Sequence, residues 1–308
     1  MGAPVHALVL AAGLRTRLRP LTFVRAKPAL PIGGEPLVRR IIRWLAANGI
    51  REIVVNLHHL PATVTAVLGD GSDLAVRIRY SWEQPLVLGT AGGPRRALDI
   101  IGVERFFIVN GDTLTDLDLA ALALAHEEAG ALATLALTSN PEPHRYGSVL
   151  VDNRSSVAAF VPRGVVAERP LHFIGVQIVE AAAFRDLAAG QPMDSIGGAY
   201  DALMRRQPGS LRGFMCEAAF WDIGTPQDYV STSRRFGDHD AEGRSVRIDP
   251  TAHITRSILW DDIEVGAGVC LDDCIITDGV RIGAGARYER AILRRAPDGG
   301  ILVNSWGE

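Results

Sequence analysis

Three arginines alternate along one short stretch: Arg15, Arg17 and Arg19 follow Leu10-Ala11-Ala12-Gly13, with Thr16 between the first two. Small residues let backbone N–H groups approach phosphate oxygens, and guanidinium forks match phosphate geometry. Further on, Lys27 stands in a chain stiffened by Pro28 and Pro31, where an ammonium can act as a compact point charge. Asp112 closes the run Ile108-Val109-Asn110-Gly111-Asp112, and Asp222 closes Phe220-Trp221-Asp222. Each apolar run thus hands a carboxylate to its own carboxyl end. Mg²⁺ takes one or two protein carboxylates and completes its octahedron with phosphates and water. The chemistry these residues suggest is the handling of a small phosphorylated molecule with a divalent metal. Taken singly, each has a plainer reading: solvated arginines on a surface loop, and aspartates that form turns or cap helices.

The elements that must position these groups alternate in the first half. His6 to Ala11 reads as a buried strand, Glu35 to Asn48 as an amphipathic helix with Leu37, Val38, Ile41, Ile42 and Leu45 on one face, and Glu52 to Leu57 as a strand. A short helix from Pro61, a strand Val76 to Trp82, a helix Gly93 to Ile101, a strand Arg105 to Asn110 and a helix Asp116 to Glu128 follow. This alternation predicts a mainly parallel sheet covered by helices, with ligands bound beyond the carboxyl ends of its strands. Ser148 to Asp152, Val157 to Val161, Phe173 to Val179 and Leu211 to Ile223 read as strands that extend the sheet in mixed orientation, closed by a helix Pro226 to Phe236.

From Val246 the pattern changes. Ile263-Glu264-Val265-Gly266-Ala267-Gly268 and Val280-Arg281-Ile282-Gly283-Ala284-Gly285 repeat 17 residues apart, which predicts a few coils of β-helix. The polar stretch Gly237 to Gly243 marks the expected boundary, giving domains 1–236 and 237–308. Pro297 to Glu308 lacks periodicity and reads as a loose or docked tail.

Composition excludes several classes. The 308 residues carry 32 basic and 35 acidic side chains, a net charge of −3, without the basic excess of a general nucleic-acid binder. No apolar run approaches a membrane span and no signal-peptide pattern opens the chain, so a cytoplasmic location is expected. The three cysteines, Cys216, Cys270 and Cys274, are too few and too isolated for a disulfide framework or a zinc site. No G-x-G-x-x-G opens the first helix, which disfavours a nicotinamide dehydrogenase.

The ordered segments Leu10 to Thr22, Lys27-Pro28, Gly89-Thr90-Ala91-Gly92-Gly93, Asn110-Gly111-Asp112, Arg145-Tyr146-Gly147 and Trp221-Asp222-Ile223-Gly224 resemble the signature of sugar-1-phosphate nucleotidylyltransferases. The resemblance covers about residues 5 to 236, and the β-helix tail is similar to that of mannose-1-phosphate guanylyltransferases. It implies a Rossmann-like mixed, mainly parallel α/β sheet followed by a short left-handed β-helix. The implied reaction joins an NTP, here GTP, to a sugar 1-phosphate, here mannose 1-phosphate, releasing pyrophosphate with Mg²⁺ as cofactor. The resemblance implies that Arg17 neutralises the triphosphate and Lys27 lies at the reacting phosphates, while Asp112 and Asp222 hold the metal. Leu10, Ala11, Ala12, Gly13, Arg15, Thr16 and Gly111 would surround the nucleotide, with Glu83, Gln84, Gly89 and Thr90 in the segment that reads the base. Gly147, Arg163, Gly175 and Gln177 would meet the sugar phosphate.

Three departures accompany the resemblance. Arg15 stands where the family's loop usually has Gly. Phe160-Val161-Pro162-Arg163-Gly164 replaces a Phe-Val-Glu-Lys-Pro run, with Glu168-Arg169-Pro170 as a competing match. Phe173-Ile174-Gly175 replaces the usual Asn-Ala-Gly. Uridylyl or thymidylyl transfer to another sugar 1-phosphate, or a non-catalytic NDP-sugar-binding homologue, are the alternatives. An acyltransferase is disfavoured by the shortness of the coil region. The tail suits assembly, and a homo-oligomer is expected.

Overall fold

The computed structural model describes residues 5–13, 16–237 and 243–306. By compactness the chain forms two units, one of Met1–Gly13 and Ile41–Trp221, the other of Leu14–Arg40 and Asp222–Glu308. The expected boundary lies in the polar stretch Gly237 to Gly243, of which residues 238–242 are outside the described residues; compactness instead groups Arg17, Lys27 and the helix Pro226–Phe236 with the coils.

Among its described residues, the first unit is built on a nine-stranded sheet. Its strands are β1 (His6–Leu10), β2 (Glu52–Leu57), β3 (Arg77–Trp82), β4 (Arg105–Asn110), β5 (Ala133–Ser139), β6 (Ser148–Val151), β7 (Val157–Val161), β8 (Leu171–Glu180) and β9 (Leu211–Met215). The order along the sheet is β7-β6-β8-β4-β1-β2-β3, with β5 beside β8 and β9 beside β5. The quartet β4-β1-β2-β3 is parallel, whereas β8 runs antiparallel to β4, β5 and β6. Ala7, Leu8 and Val9 are all buried, as a central parallel strand covered on both faces requires.

Four sequence expectations change. The strand β5 was not anticipated: Ala133-Thr134-Leu135-Ala136-Leu137 is mostly helix-forming in type and directly follows a helix, yet it pairs with β8 and β9. The helix expected from Gly93 begins at Gly89, because the segment at Met193 and Asp194 accepts hydrogen bonds from its first N–H groups. The helix expected from Asp116 is Leu119–Ala129; Asp118 caps it, accepting from the Ala120 and Ala121 N–H groups at 2.8 and 3.1 Å. The expected run Leu211 to Ile223 divides into β9 and a short strand Phe220–Asp222.

In the second unit, strands repeat every 17 residues on three faces. Arg247–Ile248, Glu264–Val265 and Arg281–Ile282 stack in parallel, as do His253–Thr255, Cys270–Asp272 and Arg287–Glu289, and as do Ile258–Leu259, Ile275–Ile276 and Ala291–Arg295. These are the expected β-helix coils. Their corners recur in phase: Ser245, Asp262 and Gly279 all have positive φ, and so do Arg256, Asp273 and Arg290. The C-terminal segment is not loose. Ile301–Ser305 pairs antiparallel with Ala291–Arg295, and the buried Trp306 donates its Nε1–H to the Asp273 carbonyl at 3.1 Å.

The rest of this unit packs on the coils. Thr225 and Asp228 form a reciprocal cap that starts the helix Pro226–Phe236. From this helix, Tyr229 donates to the Pro31 carbonyl at 2.8 Å and accepts from Trp260 Nε1 at 2.9 Å. Arg25 reaches Asp261 and Asp278, the same position in successive coils.

Candidate functional site

In the first unit the strand order reverses at β1, whose neighbours β2 and β4 lie on either side, which puts a topological switch point beyond the carboxyl ends of β1 and β4, the place where open α/β sheets bind ligands. Leu10 is in register with Asn56 on one side and Asn110 on the other. Ala11-Ala12-Gly13 leaves β1 here, and Gly111-Asp112 leaves β4. The Gly111 N–H donates to the Leu10 carbonyl at 2.9 Å, and a methyl on Gly111 would lie 2.6 Å from that oxygen. Glycine is therefore required for the two turns to meet. Asp112 follows at once, 6% exposed, with Thr113 Oγ1 3.4 Å from its Oδ1.

Glu83 is fully buried. Its Oε1 accepts from Asn56 Nδ2 and its Oε2 from the Leu88 N–H, both at 2.6 Å, while Asn56 Oδ1 accepts from the Ala11 N–H at 2.6 Å. Burial pushes the Glu83 pKa up, against the two hydrogen bonds and nearby His58 and Arg96, which lower it. Gln84, next in sequence, is exposed. At the start of the following helix, a methyl on Gly89 would lie 2.7 Å from the Met193 carbonyl, and Thr90 Oγ1 accepts from the Ser195 N–H at 2.8 Å.

The residues expected to meet the sugar phosphate fall into two groups. Gly147 lies against the β7 end, where an added methyl would be 3.1 Å from the Val161 carbonyl and 3.9 Å from the Arg163 nitrogen. The structure thus brings Gly147 and the exposed Arg163 together. Gly175, at φ +82°, leaves room for Asn110, whose Nδ2 would be 2.7 Å from an added methyl. Gln177 is buried, and its Oε1 accepts from Tyr200 at 2.5 Å.

His172 packs between Tyr146 and Phe220, with ring centroids 4.4 and 4.8 Å away. Burial pulls its pKa down to about 4; a hydrogen bond with the Gly147 backbone raises it, and Arg145 lowers it further. Because the folded value lies below the ordinary 6.5, this group's contribution to stability is full above that value and declines as pH falls toward 4. Between about pH 7.5 and pH 5 the loss is roughly 2 kcal/mol. His172→Phe should remove that part of the slope in urea titrations across this range; an unchanged slope would contradict the assignment.

In the second unit, Thr16 and Arg17 lie in an exposed turn, and Lys27 is only 2% exposed beside Pro28. Lys27 Nζ is 3.7 Å from Asp222 Oδ1, and the Asp222 side chain is 19% exposed. A methyl on Gly224 would lie 3.2 Å from Asp222 Oδ2, 3.2 Å from Asp228 Oδ2 and 3.7 Å from Arg17 Nη2. Arg17, Lys27 and Asp222 are therefore neighbours. Arg15 lies outside the described residues.

Among the described residues, no group of three or more His, Cys, Asp or Glu side chains could hold a metal by itself. Asp112 and Asp222 do supply hard carboxylate oxygens, the donor type Mg²⁺ prefers, and that ion needs only one or two from protein when phosphates complete its shell. No helix among these residues is long and apolar enough to cross a membrane. Sequence reasoning did not single out Asn56, Met193 to Ser195, Tyr200 or His172, and it named Asn110 only as part of a motif. Asn56 carried a signal, as a polar residue inside the apolar run 53–57 of β2, which burial obliges to find partners.

A family model described as "Nucleotidyl transferase" matches residues 6–238. Mannose-1-phosphate guanylyltransferase of Mycobacterium tuberculosis is 31% identical over 301 residues, covering 93% of this chain and 83% of that protein. UTP–glucose-1-phosphate uridylyltransferase of Synechocystis is 30% identical over 300 residues, covering 90% and 76%. The solved structure of HddC from Yersinia pseudotuberculosis superposes with a TM-score of 0.65 at 24% identity, covering 75% of this chain and 99% of that one, a likeness of fold.

Proposed function

The chain belongs to the nucleotidyl transferase family, and from that membership we propose that it joins a nucleoside triphosphate to a sugar 1-phosphate, with GTP and mannose 1-phosphate as the preferred pair. The observation that carries this reading is the meeting of two turns at the sheet's switch point, where Ala11-Ala12-Gly13 and Gly111-Asp112 leave adjacent strands. Relatives named for guanylyl and for uridylyl transfer match at similar identity, so the base rests on the coil region and the Gly89–Gly93 segment.

In the proposed reaction an oxygen of the sugar phosphate attacks the α-phosphorus in line, and pyrophosphate leaves. Catalysis of this kind is positioning and charge stabilisation. Arg17 and Lys27 offset the charge of the phosphates, and the backbone from Leu10 to Gly13 seats the nucleoside. Gln84, Gly89 and Thr90 belong to the base-reading segment, and Gly147 with Arg163 receives the sugar phosphate. Asp112 and Asp222 would hold Mg²⁺, which when bound screens repulsion between the two anionic substrates. The enzyme is further proposed to self-associate, which light scattering would check.

The test is pyrophosphate release with GTP, UTP and dTTP, each paired with mannose and glucose 1-phosphates. Turnover is expected with Mg²⁺, fastest for GTP with mannose 1-phosphate, abolished by EDTA and restored by excess Mg²⁺. A fastest rate with UTP or dTTP would replace the guanylyl reading, and no turnover with any pair would defeat the enzymatic one.

A further inference from the structure

The buried chain of hydrogen bonds through Glu83 joins three places that the fold brings to one edge. These are the turn after β1 at Ala11, the end of β2 at Asn56, and the segment between β3 and the next helix at Glu83 and Leu88. All four residues are buried. The niche is closed by Gly93, where an added methyl would lie 2.6 Å from Glu83 Oε1 and 2.8 Å from Asn56 Nδ2.

The bonds converge on Glu83 from both sides. The Ala11 N–H donates to Asn56 Oδ1, Asn56 Nδ2 donates to Glu83 Oε1, and the Leu88 N–H donates to Glu83 Oε2. An asparagine amide alone can point either way, and flipped it would set its NH₂ against the Ala11 N–H. An ionised carboxylate only accepts, so Glu83 forbids the flip. It simultaneously holds Leu88, immediately before Gly89.

We propose that Asn56 and Glu83 are positioning residues forming a polar relay that sets nucleoside triphosphate affinity. They do so by fixing the Ala11 amide and the Gln84–Gly89 segment as one rigid edge. This rests on the nucleotidyltransferase reading, and it moves Glu83 from contact with the base to a place behind the segment that makes that contact.

Isosteric changes test it. In Glu83→Gln, the one carbonyl oxygen can meet only one of the two donors, and the NH₂ opposes the other. The variant should raise KM for the triphosphate about tenfold, with kcat and the sugar 1-phosphate KM within about twofold, since a buried unpaired donor costs on that scale. The double variant Asn56→Asp with Glu83→Gln restores every bond: Asp accepts from Ala11 and from the Gln NH₂, and the Gln oxygen accepts from Leu88. It should return the triphosphate KM to within about threefold of the original, because the carboxylate has moved one station along an otherwise intact chain.

An unchanged triphosphate KM in Glu83→Gln would overturn the relay. So would equal rises in both substrates' KM values, or a double variant no better than the single. Should Glu83→Gln fail to fold, the double variant decides by itself: folded with near-original triphosphate affinity supports the relay, unfolded or weakly binding overturns it. Calorimetric titration with GTP and with UTP, without sugar phosphate, gives the same comparison independently of turnover. Absence of catalysis in the unaltered enzyme would therefore sink the functional reading and leave the relay to be judged on binding.

Discussion

Asp112→Asn is expected to lower kcat by roughly 10³-fold, the scale on which preorganised charge contributes to catalysis, while the thermal midpoint stays within a few degrees. The side chain is only 6% exposed, and its place is fixed by the contact of Gly111 with the Leu10 carbonyl. Asparagine has the same shape, so the turn is retained while the charge and one acceptor oxygen are lost. A neutral amide oxygen is a poorer ligand for Mg²⁺, whose protein ligands are few. Asp222→Asn should cost a similar factor and also some stability, because the buried Lys27 ammonium loses a carboxylate 3.7 Å away. Steady-state rates at saturating Mg²⁺ together with melting curves separate these outcomes. Full activity in Asp112→Asn would remove that carboxylate from the metal role.

Arg25→Ala should destabilise the second unit by about 3–5 kcal/mol, the usual cost of removing one partner from a largely buried ion pair. The guanidinium is 11% exposed. Its Nε and Nη2 reach the two oxygens of Asp278 at 2.7 and 2.6 Å, and Nη2 also donates to Asp261 at 2.7 Å. Its carbon lies 5.3 Å from the Trp260 ring centroid, which adds a cation–π contact. Burial alone would push the Asp261 pKa up; the Arg244 N–H and Arg25 outweigh it and hold the carboxyl below the ordinary range. Without Arg25, two half-buried carboxylates on successive coils face each other with their main counter-charge gone. Arg25→Lys should recover only part of the loss, since an ammonium lacks the planar fork. Urea or thermal unfolding measures the effect, and a change below about 1 kcal/mol would mean that the pair behaves as a surface salt bridge.

The parts legible in sequence were those with a strong period or an apolar run. The buried β1 and β4, the amphipathic face from Leu37 to Leu45 and the 17-residue spacing of the coils all have direct local causes. What escaped was decided by distant partners. Nothing local distinguishes Ala133–Leu137 from a helix; the neighbours β8 and β9 do. Gly89, Gly92 and Gly93 stood out in the sequence as part of a family signature, yet their smallness has a cause in packing: Met193, Gln191 and Glu83 press against them. The site divides in the same way. Arg17, Lys27, Asp112 and Asp222 announced themselves through charge placed beside turns and strand ends. Glu83 was named only for lying in the segment that the resemblance assigns to the base; its burial against Asn56 and Leu88 depended on partners elsewhere in the sequence.

The coil period also governs how this protein could change length. Every pairing between coils links a residue to the one 17 positions along, and the left-handed corners recur in the same phase. A duplication or deletion of 17 residues is therefore the smallest one that leaves every rung aligned; any other number would turn core side chains outward. The stack lengthens in whole steps of about 4.8 Å, the spacing of neighbouring strands. On one of the three faces the last described strand, Ile301–Ser305, runs against the others, so that face offers a further coil no edge of matching direction.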